Sequence, residues 1–385
     1  MIKGINMNND LDIKTFTECL EMNEEEKLEQ HLLLGNGFSI SFDPNFSYLA
    51  LNNSTENPLR DLISKYNNPE IAMSHCHTYE NKEKIKITQD DIKKSIVEKI
   101  LECHPRSVFD IDPRYTNHCY EKFLKNFDKI FTTNFDLLLY NTILHRTYCA
   151  HKKNNFIDGF YKKRDGNAPK YIFRDSRKNS KKASVLYLHG ALHIFSDMID
   201  LKYKESLFIN HADSDQKTMK IEDPTTVFRH RSGDIKGNIK EQLLEIFENR
   251  LPIIVMAENH TKKSLEIRSN SYLSTAFVSF QKTNTGRKRS LFIFGHSLAD
   301  QLDTHISHEI QVSGNIKYIF YGIHVSSFES PEQLEAEKNR IYQLLIENSL
   351  SKDPQYPRTL FFFDSSIMDI WGKKITQQEI NIPIS

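Results

Sequence analysis

The side chains best suited to chemistry follow short apolar runs of the chain. The first run, the leucines at 32–34, leads into Gly35-Asn36-Gly37-Phe38-Ser39. Glycine lacks a β-carbon, so its backbone adopts unusual angles and approaches a ligand closely. A helix after such a turn presents free N–H groups, which favour a phosphate. The stretch is typical of a nucleotide-phosphate turn, but an ordinary glycine turn after a core strand would look the same, since the full G-x-G-x-x-G pattern is absent.

Three later segments repeat this arrangement of an apolar run that ends in polar residues. The second run continues into Thr133-Asn134-Phe135-Asp136, and the third ends at His189-Gly190. The fourth ends at Gly295-His296-Ser297-Leu298, after which Asp303 and His305 open a helix. Polar residues at the carboxyl ends of parallel strands are where open α/β sheets bind ligands. We therefore expect these segments to meet at one edge of a sheet.

Two of these side chains have the chemistry of a hydrolytic site. The amide of Asn134 both donates and accepts hydrogen bonds, so it can orient water or a hydroxyl group. His189 titrates near neutrality and can accept a proton. Simpler explanations stay open, because Asn134 or Asp136 can cap the helix that follows. A single histidine beside a strand is also, by default, a structural residue with its hydrogen bonds satisfied.

Length, charge and cysteine content restrict the class of protein. The 385 residues carry no formal net charge, which gives no bulk attraction to nucleic acid or membranes. No apolar signal segment opens the chain, and the apolar runs are too short to span a bilayer, so a soluble, cytoplasmic protein is expected. Five cysteines without a C-x-x-C pair exclude a disulfide framework and a four-cysteine zinc ribbon. No metal site is predicted.

Strand and helix patterns alternate along the chain. They predict an α/β protein with a Rossmann-like, doubly wound, mostly parallel sheet and helical insertions. Strands are expected near residues 32–34, 129–132, 185–188, 251–257, 291–294, 316–323 and 360–363. Helices are expected near residues 12–30, 59–66, 88–102, 117–126, 137–144, 235–249, 264–280 and 331–348. A single domain is predicted over 1–385, with a helical insertion at about 55–127 and irregular basic or polar insertions at about 152–183 and 196–233.

The four segments resemble, in their order, the motif series of sirtuin-like NAD-binding domains. The resemblance covers about residues 32–305. It is strongest to the bacterial sirtuin-like NAD hydrolases of antiviral defence, including the Nezha type that works with a HerA-like ATPase. The zinc module of sirtuin deacylases, with its two cysteine pairs, is missing here, and the second motif reads Thr-Thr-Asn where deacylases have Thr-Gln-Asn. Both departures favour the hydrolase branch.

The resemblance implies a role for each matched residue. The residues implied at the NAD pyrophosphate are Gly35, Asn36, Gly37 and Ser39, with Phe38 beside them. Those implied at the nicotinamide and its ribose are Thr133, Asn134 and Asp136. His189 is implied as the catalytic base or as a group that holds the ribose hydroxyls. Those implied at the adenosine half and at the rim of the pocket are Gly295, Ser297, Asp303 and His305.

The implied activity is cleavage of NAD, as the substrate, to nicotinamide and ADP-ribose in anti-phage defence by NAD depletion. Such an enzyme needs restraint in healthy cells, so a homo-oligomer and assembly with a HerA-like ATPase are expected, with nucleic acid reached only through that partner. Three other functions stay open. They are an NAD-dependent deacylase or ADP-ribosyltransferase, a non-catalytic NAD or ADP-ribose sensor, and a nucleic-acid module using the basic segment at 162–182.

Overall fold

A computed structural model describes the chain in separate stretches. These stretches are residues 12–47, 62, 65, 69–76, 88–105, 110–148, 156–165, 168–173, 184–196, 202–204, 252–256, 260–281, 288–298, 303–349 and 358–374. The expected helix at 235–249 lies outside them, and so does most of the expected helix at 59–66.

The described residues form eleven strands and two sheets. The strands are β1 (Ile13–Lys14), β2 (Glu29–Leu34), β3 (Lys129–Thr132), β4 (Phe160–Asp165), β5 (Ala168–Phe173), β6 (Val185–Tyr187), β7 (Ile194–Ser196), β8 (Lys202–Lys204), β9 (Arg289–Phe294), β10 (Ile316–Ile323) and β11 (Thr359–Asp364). Seven of them form an all-parallel sheet in the order β1-β11-β10-β9-β2-β3-β6. The other four form an antiparallel sheet in the order β4-β5-β8-β7.

The parallel sheet reverses its direction of growth between β2 and β9. From β2 the chain adds β3 and β6 on one side, then returns to place β9, β10 and β11 on the other. Leu34 is paired with Thr132 on β3 and with Phe294 on β9, so these strands end at the same level. In open α/β sheets, ligands bind outside the carboxyl ends of the strands at such a switch point.

Helices cover both faces of this sheet. The α-helices among the described residues are α1 (Phe16–Glu26), α2 (Gly37–Phe42), α3 (Pro69–His75), α4 (Gln89–Cys103), α5 (Pro113–Lys122), α6 (Leu138–Tyr148), α7 (His260–Ser269), α8 (Ser271–Gln281), α9 (Thr304–Val312) and α10 (Pro331–Tyr342). Leu32 and Leu34 belong to one buried core with α1, α4, α5 and α6, whereas Leu33 belongs to a second core with α8, α9 and α10. Alternation of side chains along a strand produces this division. The predicted Rossmann-like, doubly wound fold is confirmed.

Local capping explains why α4 begins where the sequence predicts. Thr88 accepts a hydrogen bond from the backbone N–H of Asp91 at 3.2 Å, and the Asp91 carboxylate accepts from the backbone N–H of Thr88 at 2.9 Å. This reciprocal pair is a capping box.

No helix in the described part of the chain is both long enough and apolar enough to cross a bilayer.

Four expectations about individual elements differ from the structure. The helix expected at 12–30 is shorter, because Thr15 caps α1 after β1 and β2 begins at Glu29. Of the apolar segment at 251–257, the described residues 252–256 form an isolated bridge, between Ile254 and Gly190, and meet β7 through Ile253 N, which donates to the Ile194 carbonyl at 2.7 Å. The helix expected at 264–280 is two helices, since the side chain of Asn270 accepts from the backbone N–H of Leu273 and starts α8 anew. Where irregular insertions were expected, β4, β5, β7 and β8 form the antiparallel sheet.

The turns after β2 and β9 touch through their backbones. A β-carbon on Gly37 would lie 2.5 Å from Cα of Gly295, and one on Gly35 would lie 2.5 Å from the Gly295 carbonyl oxygen. Gly295 also has a φ of 66°, a left-handed value that glycine adopts without strain. Glycine is therefore required on both sides of this contact.

Replacing Gly295 should destabilise the fold more than replacing an exposed glycine. In Gly295→Ala the new methyl group meets the Gly37 backbone, and the backbone stays at a positive φ, so we expect the free energy of unfolding to fall by about 2–4 kcal/mol. Gly314→Ala is the control, because Gly314 is exposed and is not among the described glycines with positive φ. Urea unfolding measures both. Equal stability of the two variants would contradict the close backbone contact.

His104, just past the end of α4, connects this helix to the loop after β3. Its Nε2 accepts a hydrogen bond from the backbone N–H of Leu137 at 2.8 Å, and its ring makes an edge contact with Phe46. Because Nε2 accepts, the ring proton must sit on Nδ1 and the imidazole must be neutral. Burial lowers the pKa of His104 to about 3.

Acid should therefore destabilise the protein through His104. Between the unfolded pKa of about 6.5 and the folded pKa of about 3, only the unfolded chain takes up the proton. The stabilisation is complete above this window and is lost as the pH falls, with a slope approaching about 1.4 kcal/mol per pH unit. His104→Gln keeps an acceptor that does not titrate, so its unfolding free energy should depend less on pH. Exposed His308→Gln should keep the wild-type slope in urea unfolding at several pH values.

Candidate functional site

The segments singled out in the sequence end at one edge of the parallel sheet. Backbone hydrogen bonds extend the ladder past the strands, from Gly37 N to the Gly295 carbonyl at 2.9 Å and from Thr133 N to the Leu34 carbonyl at 3.0 Å. Leu188 N donates to the Thr132 carbonyl at 2.8 Å, which brings the segment at 189–190 to the same edge. The expectation that the four segments share one edge of the sheet is confirmed.

Ser39, Asn134 and Asp136 form the first polar cluster at this edge. The Ser39 hydroxyl donates to Asp136 Oδ2 at 2.5 Å and accepts from Asn134 Nδ2 at 3.0 Å. All three side chains are buried. Along the chain, Asn134 lies 95 positions and Asp136 lies 97 positions after Ser39. The three side chains meet because β2 and β3 are neighbours in the sheet.

The second oxygen of Asp136 caps the next helix. Oδ1 accepts from the backbone N–H of Leu138 at 2.8 Å, so the capping explanation considered for this residue is also correct. Burial raises the pKa of Asp136, and the hydrogen bonds from Ser39 and Leu138 oppose that rise. Asp136 thus fixes both the start of α6 and the orientation of the Ser39 hydroxyl.

The side-chain oxygen of Asn134 lacks a hydrogen-bond partner among the described residues. The Ser39 hydroxyl donates its one proton to Asp136, so the Asn134 atom that faces Ser39 must be the donor Nδ2. Oδ1 is then left buried without a hydrogen-bond partner among the described residues, and the whole residue is only 7 % exposed. A buried amide oxygen without a partner costs free energy, which a ligand donor would recover.

The turn after β2 offers a ligand fewer N–H groups than expected. A helix does follow, but the N–H of Gly37 is bound by the Gly295 carbonyl, that of Phe38 by Gly35 and that of Ser39 by Asn36. The expectation of free N–H groups at the start of α2 is wrong for these three. Within residues 35–40, the N–H of Asn36 is the one without a backbone acceptor in the described structure. A ligand that approaches the backbone of this turn would therefore do so at residues 35–37.

His189 and His305 form the centre of a second polar cluster. Their Nε2 atoms are 2.8 Å apart and their rings stack with centroids 5.0 Å apart. Gly190 holds the turn after His189, with a φ of 79° and a backbone contact that leaves no room for a β-carbon. The His189 carbonyl accepts from Val255 N at 2.8 Å, so the segment at 252–256 fixes the histidine from the other side.

An ion-pair network adjoins the two histidines. Lys263 Nζ lies 3.1 Å from Asp303 Oδ1 and 2.8 Å from Glu70 Oε2. Lys263 and Glu70 are buried, and Asp303 is mostly buried. Asp303 Oδ2 lies 3.8 Å from Nε2 of His296. Because His296 directly follows Gly295, this network is continuous with the glycine contact at the switch point.

The charges in this cluster follow from burial and from the network. Burial lowers the pKa of His189 well below its ordinary value, and Lys263 lowers it further, so the imidazole is neutral at pH 7. Burial alone would raise the pKa of Asp303, but Lys263 and the neighbouring histidines lower it well below its usual range. Burial raises the pKa of Glu70 to about 7, although Lys263 opposes the rise.

Other residues predicted for the site make structural contacts. The Phe38 ring is buried against Trp371, with centroids 5.0 Å apart. The Ser297 carbonyl accepts from Arg340 at 2.7 Å. The Thr133 hydroxyl donates to the Leu34 carbonyl at 3.4 Å. Contacts of these three residues with NAD stay predictions.

Sequence reasoning did not select Lys263, Glu70 or His296 as site residues. Lys263 follows another lysine in a helix with ordinary surface composition, and Glu70 has no motif around it. His296 stands inside the fourth segment, and its position next to Gly295 was the one available signal. The other two are found only because α7 packs beside α9 and the Lys263 ammonium group reaches Glu70 on α3.

Residues 71–220 of this chain match the model of a family described as a domain of unknown function (DUF4917). The match covers well under half of the chain and includes Asn134, Asp136 and His189, but neither the glycine turn after β2 nor Gly295. A comparison with curated proteins finds no match. The middle of the chain is thus similar to this family, whose description names no activity.

Proposed function

We propose that the protein is an NAD hydrolase that cleaves NAD to nicotinamide and ADP-ribose. The observation that carries the proposal is the buried Asn134 amide oxygen, without a partner in the described structure and held beside Ser39 at the carboxyl edge of the sheet. This edge is where doubly wound sheets bind dinucleotides. At the turn after β2, the backbone N–H of Asn36 has no backbone acceptor in the described structure, which supports a hydrogen bond to a pyrophosphate oxygen.

In the proposed reaction, the bond between the ribose C1′ and the nicotinamide nitrogen breaks, and nicotinamide leaves with the electron pair. A water oxygen bonds to C1′, and the water gives up a proton. Asn134 would orient the water or the nicotinamide-ribose hydroxyls through Oδ1. His189 would accept the proton, since its neutral imidazole carries a lone pair on one ring nitrogen. Ser39 and Asp136 would hold Asn134 in place.

We also propose the context of this activity from the resemblance to sirtuin-like defence enzymes. The protein would act in the cytoplasm and deplete NAD during phage infection. A homo-oligomer or assembly with a HerA-like ATPase would restrain it in healthy cells. Nucleic acid would be reached through that partner.

Removal of either central side chain should abolish NAD cleavage. Asn134→Ala removes the orienting amide and His189→Ala removes the base, and positioned acid–base help is worth about 10² to 10⁴ in rate. We expect NAD loss to fall at least about 100-fold in each variant. Asn348→Ala and His308→Ala are matched controls, because both residues are exposed and neither belongs to either polar cluster. Mass spectrometry of NAD, nicotinamide and ADP-ribose measures the products, and thermal unfolding by circular dichroism checks the fold.

The assay is run with the full chain and NAD alone, and again with a HerA-like ATPase. Free ADP-ribose without any acceptor supports hydrolysis. Products that form only with an acceptor peptide would favour a deacylase or ADP-ribosyltransferase. Tight NAD binding without turnover in either assay would favour a sensor. Wild-type turnover by both folded variants would contradict the assigned site.

A further inference from the structure

Three metal-binding side chains converge from separate parts of the chain. His189 follows β6, Asp303 precedes α9 and His305 lies in its first turn. One ring nitrogen from each histidine and one carboxylate oxygen of Asp303 all lie within 4.8 Å of one another. Both imidazoles are buried, and Asp303 is mostly buried. We propose that these residues form a binding site for a divalent transition-metal ion of the Zn²⁺ class.

The donor set fits such an ion. Imidazole nitrogen and carboxylate oxygen are ordinary ligands of Zn²⁺, and three protein ligands leave a position open for water or another small ligand. Two imidazole nitrogens at Zn–N distances near 2.05 Å in a tetrahedral arrangement lie about 3.3 Å apart. The Nε2 atoms of His189 and His305 are 2.8 Å apart, so they need to separate by only about half an ångström.

The contact between the two histidines has an unusual consequence without a metal. Two ring nitrogens at hydrogen-bond distance need a proton between them, so one imidazole must donate and the other accept. A metal ion would replace that proton and accept both lone pairs. The pair is therefore either a structural hydrogen bond or a metal-ligand pair, and the two states are distinguishable by experiment.

The surrounding network orients the third ligand. Lys263 holds Oδ1 of Asp303 at 3.1 Å and is itself bound by Glu70 at 2.8 Å. Partners of this kind fix the direction of a coordinating carboxylate. The ammonium group of Lys263 also repels a cation, which limits the affinity of the site, and Glu70 compensates part of that repulsion.

No cysteine belongs to this set. The expectation of no metal site came from the lack of matched cysteine pairs, and the proposed site departs from that expectation. Residues 189 and 305 are 116 positions apart, so no spacing in the sequence marks them as co-ligands.

Bound metal would also control the proposed NAD hydrolysis, and this consequence rests on the proposed function. A metal ion occupies a nitrogen of His189, the residue proposed to accept the proton. Loading the site would then inhibit cleavage, and removal of the metal would restore it. The binding test itself does not depend on NAD.

The test measures binding of Zn²⁺ and Co²⁺ to tag-free, full-length protein. The protein is stripped with a chelator, dialysed against a low concentration of Zn²⁺ and assayed for bound zinc by mass spectrometry. We expect near-stoichiometric zinc in the wild type and in His308→Gln, whose exposed histidine lies on the same helix as His305. His305→Gln and Asp303→Asn should each weaken binding at least about 10- to 100-fold.

Co²⁺ identifies the ligands, because its absorption spectrum reports coordination by nitrogen and oxygen or by thiolate. Visible bands without a thiolate charge-transfer band, lost in His305→Gln, support the site. Equal metal binding by wild type, His305→Gln and Asp303→Asn would overturn it, as would a thiolate band or no binding by the wild type. Circular dichroism checks each fold, and if one variant fails to fold, the other decides. Stoichiometric zinc binding by a protein that fails to cleave NAD even in its metal-free form would contradict the proposed function but leave the metal site intact.

Discussion

The backbone contact between the turns after β2 and β9 is the constraint on which the edge of the sheet depends. Gly37 and Gly295 approach so closely that neither tolerates a β-carbon. Two residues beyond Gly37, Ser39 starts the amide and carboxylate cluster, and one residue beyond Gly295, His296 faces Asp303. The contact between these two turns therefore fixes the position of one residue in each polar cluster, Ser39 in the first and His296 in the second.

The two clusters have different electrostatic character. The first is a chain of hydrogen bonds from Asn134 through Ser39 to Asp136, and it contains one buried carboxylate. The second combines imidazoles with the Lys263 ion pairs, where loss of one partner would leave a buried charge uncompensated. The first arrangement suits the orientation of a polar ligand, and the second suits the binding of a proton or a cation. A doubly wound sheet brings several strand ends to one edge, so the two arrangements can lie on neighbouring strand ends.

The local errors of sequence reasoning have a common physical cause. Apolar periodicity shows which residues are buried, but it does not show what lies next to them. The described residues 252–256 are largely buried, as a strand would be, yet Ile254 lies against the turn at Gly190, where an isolated bridge forms. The long helical pattern at 264–280 is divided by the cap at Asn270, and β4 and β5 form a hairpin in what reads as a basic insertion.

By itself, the sequence determined six of the seven strands of the parallel sheet, all but β1, and the polar residues at their ends, since apolar runs closed by glycine or by small polar residues are local signals. These signals selected Gly37, Asn134 and His189. Only the tertiary structure decided that His189 meets His305, and that Lys263 lies against Glu70 from 193 positions away. Such contacts depend on how the helices pack over the sheet, and no periodicity or spacing along the chain records that packing.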